Sequence, residues 1–88
     1  MERVIKVGKI YRHFKGNLYI VLDIVNDCES DEADMKKVVI YQALYKDNLK
    51  WARKYDDFAS LVDKNKYPDI EQKYRFEEVL VDVKKWNI

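Results

Sequence analysis

Two apolar segments separated by Lys15-Gly16-Asn17 constrain this chain more than any other feature. Glycine and asparagine tolerate positive φ, so this tripeptide between apolar runs dictates a tight hairpin. From Val4 to Phe14 the side chains largely alternate, with Ile10, Arg12 and Phe14 on one face and Tyr11, His13 and Lys15 on the other, which predicts a strand. Leu18 to Val25 is apolar at nearly every position except Asp23, the pattern of a central strand buried on both faces. The stretch from Gly8 to Tyr19 also holds the only glycines and the only histidine of the chain, among basic and aromatic residues, so the hairpin presents a polar surface.

At 88 residues the chain has the material for a single domain over 1–88, and 48% hydrophobic against 38% charged residues excludes a disordered chain. Lys and Arg number 17 against 16 Asp and Glu, so a net charge of +1 creates no global field towards nucleic acid or an anionic membrane. A charged partner must then be met by a local patch. No apolar run approaches the roughly 20 residues of a membrane span, and Met1-Glu2-Arg3-Val4 lacks the apolar stretch of a signal peptide. Cys28 has no second cysteine to pair with. A cytoplasmic location without a membrane partner is expected.

Beyond the hairpin, Asp27 to Asp34 reads as an acidic, solvated loop, Val38 to Tyr45 as a strand, Lys46-Asp47-Asn48 as a turn, and Leu49 to Tyr55 as a strand with Trp51, Arg53 and Tyr55 on one face. Asp56 and Asp57 open a single helical turn carrying Phe58, Ser60 to Asp63 forms a short strand, and Tyr67-Pro68-Asp69 breaks the chain. At the C-terminus Phe76, Val79, Leu80 and Val83 fit a helix face, while Val79, Val81 and Val83 fit a strand; a short helix is the reading favoured. Tyr19, Tyr41, Phe58 and Phe76 are assigned to the core. The fold expected is mainly β, a small, strongly bent antiparallel sheet or partly open SH3-like barrel with a short C-terminal helix.

The order Gly8-x-x-Tyr11-Arg12-His13-Phe14-Lys15-Gly16-Asn17-x-Tyr19, Val38-Val39-Ile40-Tyr41-Gln42-Ala43-Leu44-Tyr45, Trp51-Ala52-Arg53, Phe58 and Arg75-Phe76 resembles a small, mainly bacterial family known only as a domain of unknown function. The resemblance covers roughly residues 8–77 and leaves 78–88 as a C-terminal extension. Lys54 departs from the family pattern, which has proline after the Trp-x-Arg element. No activity comes with the resemblance.

Several chemistries compete for these residues. His13 with Asp23 or Asp27, and Cys28 as nucleophile, would be the raw material of a Cys-His enzyme site, but a lone His beside a turn and a lone Cys at a strand border are more often ordinary packing and surface residues. The acids of the 27–34 loop fail the calcium-loop pattern, with Glu32 where Gly is needed and Val38 where a bidentate Glu is needed. No metal and no cofactor is expected. Arg3, Lys6, Lys9, Arg12 and Lys15 recur every third residue among aromatic rings, which offers a single-stranded nucleic-acid platform as the alternative function, although that period scatters charges over both faces of a strand. The leading expectation is a noncatalytic binding module that recognises a peptide, protein or small anionic ligand. Its surface is Tyr11, Arg12, His13, Lys15, Gln42, Tyr45, Trp51 and Arg53, with the arginines as forked donors and Trp51 as an apolar floor.

Overall fold

In a computed structural model, which describes residues 3–30 and 36–80, the hairpin forms where glycine permits it. Gly16 adopts φ 106°, its N–H donates to the His13 carbonyl at 2.7 Å, and the His13 N–H donates to the Asn17 carbonyl at 2.9 Å. This turn joins β1 (Ile10–His13) to β2 (Leu18–Asn26). Then follow β3 (Lys37–Ala43), β4 (Lys50–Lys54), the helical turn α1 (Tyr55–Phe58) and β5 (Phe76–Glu78). All pairings are antiparallel in one sheet of order β4-β3-β2-β1-β5. The fold is mainly β, as expected, but β4 and β5 stand at opposite edges, so the sheet is unclosed.

Register and alternation sort the side chains onto two faces, because directly opposed residues project to the same side. The inner face carries Tyr11 opposite Tyr19 and Ala43 opposite Tyr19, then Val21 opposite Tyr41 and Tyr41 opposite Trp51. Phe58 from α1 and Phe76 from β5 stack over it, ring centroids 4.0 Å apart and 4° from parallel. Tyr11, Tyr41 and Tyr19 meet this pair edge to face, the arrangement that sets the positive rim of one ring against the negative face of another. The outer face carries Ile10, Ile20 and Gln42 in one row. β2 is therefore central without being buried on both sides. Val21 is fully buried, whereas Leu18, Ile20 and Leu22 are half-buried and Val25 is exposed.

Three further expectations change. The first strand is shorter than Val4 to Phe14, since Gly8 turns the chain at φ 83° and the segment before it leaves the ladder. That segment is held instead by tyrosine hydroxyls: Tyr55 Oη accepts the Ile5 N–H at 2.8 Å and Tyr11 Oη the Lys6 N–H at 2.9 Å, which places Ile5 in the core. Ser60 to Asp63 supplies one isolated bridge, Leu61 to Tyr74, rather than a strand. Around Phe76 the chain is extended, not helical, because the free edge of β1 offers a ladder that seats Phe76 opposite His13. The part of the acidic loop at 31–35 and the C-terminal residues 81–88 lie outside the described residues.

Candidate functional site

Arg53 projects from the inner face of β4 opposite Val39, and one turn of chain later α1 carries Asp57 to meet it. Arg53 Nη1 donates to Asp57 Oδ2 at 2.6 Å, and its Nε donates to Tyr41 Oη at 3.2 Å. Arg75, just before β5, reaches the same carboxylate from the other side, Nη2 lying 3.6 Å from Asp57 Oδ1. Its Nε donates to Ser60 Oγ at 3.2 Å, and Ser60 Oγ in turn donates to the Asp57 carbonyl at 2.7 Å. Both arginine side chains are about one-third exposed, 31% and 30%. Burial works against the Arg53 charge, but the hydrogen bonds to Tyr41 and Asp57 outweigh it and raise its pKa.

One carboxylate thus faces two guanidinium groups, and among the described residues their remaining N–H donors have no further acceptor. His13 borders the pair, its ring edge-on to Phe76 at 5.0 Å and tilted on Phe14 at 4.3 Å. Its pKa is lowered to about 4 by burial first, then by the charges of Arg75, Arg53 and Lys15. The neutral ring accepts the Lys15 N–H at Nδ1, 3.1 Å away, which leaves the proton on Nε2 and makes the ring a donor. On the β3–β4 side, Tyr19 and Tyr45 share a hydroxyl–hydroxyl hydrogen bond of 2.8 Å. Burial and the Tyr45 hydroxyl push Tyr19 up to about 12. Trp51 lies half-exposed, at 49%, on the same face of β4 as Arg53.

The eight residues singled out from sequence do not share one surface. His13, Trp51 and Arg53 lie on the inner face, with Lys15 and Tyr45 at its turns. Tyr11 is buried in the core at 1% exposure, and Arg12 and Gln42 project to the outer face. β1, β3 and β4 are not consecutive in the sheet either, since β2 separates β1 from β3. Sequence reasoning missed Arg75, Asp57, Ser60 and the hydroxyls of Tyr19 and Tyr41 as polar components of the site; the Arg53 to Asp57 spacing was the visible signal for one contact.

The basic stripe also divides. Arg3 donates to the Ala59 and Phe76 carbonyls, Lys6 pairs with Glu78 at 3.6 Å, and Arg12 faces outward beside Glu77. Cys28 is exposed beyond the far end of β2 from His13, a separation of roughly 30 Å along the nine-residue strand, so the two form no common site. Among the described residues no group of His, Cys, Asp and Glu is placed to hold a metal ion, and no helix is long and apolar enough to cross a membrane.

No curated protein and no solved structure matches the chain. A family model described as a protein of unknown function, DUF1653, matches residues 9–78, most of the chain including every strand described above, and the protein belongs to that family.

Proposed function

We propose that the protein is a noncatalytic binding module that takes one carboxylate or phosphate group at Arg53 and Arg75, beside Trp51. The observation that carries this reading is the ratio of charges: two half-buried guanidinium groups share Asp57, while neutral His13 adds a donor and no compensating charge. A planar fork with spare N–H groups suits a bidentate oxyanion, and partial burial makes each such hydrogen bond stronger than at an open surface. Trp51, two residues from Arg53 on the same strand face and so roughly 7 Å away, supplies an apolar wall for the rest of the ligand. The anion can arrive free or as part of an acidic peptide, and the two sources are separable with inorganic phosphate and acetyl-glutamate amide as probes.

Thermal unfolding at fixed ionic strength tests the reading. A ligand at ten times its Kd stabilises the native state by about 1.4 kcal/mol, which raises the Tm of a domain of this size by roughly 5 to 10 °C. Phosphate, acetyl-glutamate amide or both should produce such a rise in the wild type relative to chloride, and Arg75→Gln should remove it. Equal rises in the two proteins, or none for either probe, would contradict the proposal.

A further inference from the structure

We infer that a second site, an open groove framed by Arg3, Lys37, Tyr55, Leu61, Lys73 and Tyr74, docks an acidic peptide segment that carries an apolar side chain. The groove has a volume of about 870 Å³ and shares no lining residue with the Arg53–Arg75 patch. Its charge is unbalanced. Among the described lining residues three cations, Arg3, Lys37 and Lys73, stand against one carboxylate, Asp56. Arg3 does not spend its charge on an acid: Nη1 and Nη2 donate to the carbonyls of Ala59 and Phe76 at 3.0 and 2.6 Å. Among the described residues no carboxylate forms an ion pair with the Lys37 or Lys73 ammonium, although Glu77 Oε2 accepts the Lys73 backbone N–H at 3.0 Å.

Two cations crowd one ring here. The Arg3 guanidinium lies 3.9 Å from the Tyr74 centroid and the Lys73 ammonium 5.3 Å from it, so the ring's negative face is already engaged. That arrangement leaves poor stacking space for a base and disfavours nucleic acid, whose single strands are held by free aromatic faces. The apolar component points to a chain segment as well. Val4 and Leu61 line the groove while 72% and 57% exposed, and Ile24 lies beside them on the end of β2. An open groove lined by three cations and by exposed aliphatic side chains matches an acidic segment with a leucine-like anchor better than an enclosed small molecule.

Fluorescence anisotropy with a fluorescein-labelled Glu-Glu-Leu-Glu-Glu-Leu peptide tests this, with a Gln-for-Glu peptide and a labelled oligothymidylate as comparisons. The acidic peptide should bind saturably, and the Gln peptide at least about tenfold more weakly, the effect of losing roughly 1.4 kcal/mol. Lys37→Glu with Lys73→Glu should weaken the acidic peptide by a similar factor, since reversing exposed charges leaves the fold intact, and Leu61→Ser should weaken it several-fold. In an Arg75→Gln background, which removes the contribution of the Arg53–Arg75 patch, saturable binding and the effect of the Lys37→Glu and Lys73→Glu reversals should both remain. Absence of saturable binding, equal affinity for the Gln peptide, indifference to the charge reversals, or preference for the oligothymidylate would each overturn the assignment.

Discussion

Protonating His13 would charge a partly buried ring and set a third positive charge beside Arg53 and Arg75, and this local cost makes the residue a reporter of its surroundings. Its folded-state pKa of about 4 lies below the 6.5 of the unfolded chain, so between those values the unfolded state binds a proton that the folded state refuses. Stability therefore falls as pH drops from 6.5 towards 4. The loss should amount to about 1 to 2 kcal/mol once screening at a half-exposed ring is allowed for. Urea denaturation at pH 7 and pH 5 should show it, and His13→Gln should flatten that part of the profile; an unchanged profile would contradict a lowered His13 pKa. Arg12 and Arg53 form a second contrast. Sequence treats them alike, because strand parity shows that two residues share a face without showing which face the chain will cover. Arg12→Ala should alter stability by less than about 0.5 kcal/mol, whereas Arg53→Ala removes the hydrogen bond to Tyr41 Oη and leaves Asp57 only its longer contact to Arg75, and should cost about 1 to 3 kcal/mol. Equal denaturation midpoints for the two variants would contradict this distinction.

Among the elements, the β1–β2 hairpin was legible because its cause is local. Gly16 sits at a φ that L side chains rarely adopt, and a Cβ there would meet nothing within 4 Å, so substitution costs backbone strain without a clash. Gly16→Val should lose about 1 to 3 kcal/mol in chemical denaturation, a large part of a total of about 5 to 10 kcal/mol. No loss would remove the turn's role. β5 was not legible. Phe76, Val79, Leu80 and Val83 satisfy a helical period while Val79, Val81 and Val83 satisfy a strand period, and what decides at Phe76 is a distant partner, the open edge of β1 more than sixty residues upstream. The same limit applies to α1 and the Leu61 to Tyr74 bridge, where one helical turn was visible in Asp56-Asp57-Phe58 but its packing partner Phe76 was not. Phe76→Ala should cost about 3 to 5 kcal/mol, since the ring stacks on Phe58 and touches three further aromatic side chains.

At the scale of the molecule, one five-stranded sheet is packed on its inner face by α1 and the following segment, and this asymmetry gathers the polar site. Arg53, Asp57 and Arg75 are spread over more than twenty residues of chain, and they meet because Phe58 and Phe76 must stack in the core and carry their neighbours in with them. The residues quoted for the family resemblance include Trp51, Arg53, Arg75 and Phe76, so part of the site was present in the sequence as isolated words. Their convergence depends on long-range pairing that a linear pattern does not encode. Joint binding of an oxyanion by Arg53 and Arg75 is the property on which the proposed function stands. It is tested most directly by following the arginine Nε–H and tryptophan indole N–H resonances while phosphate and acetyl-glutamate amide are titrated at constant ionic strength. Arg53 Nε–H, Arg75 Nε–H and the Trp51 indole should shift together along one saturable curve for at least one probe, with Arg12 Nε–H unmoved. Shifts that spread evenly over all arginines, or that fail to saturate, would contradict it.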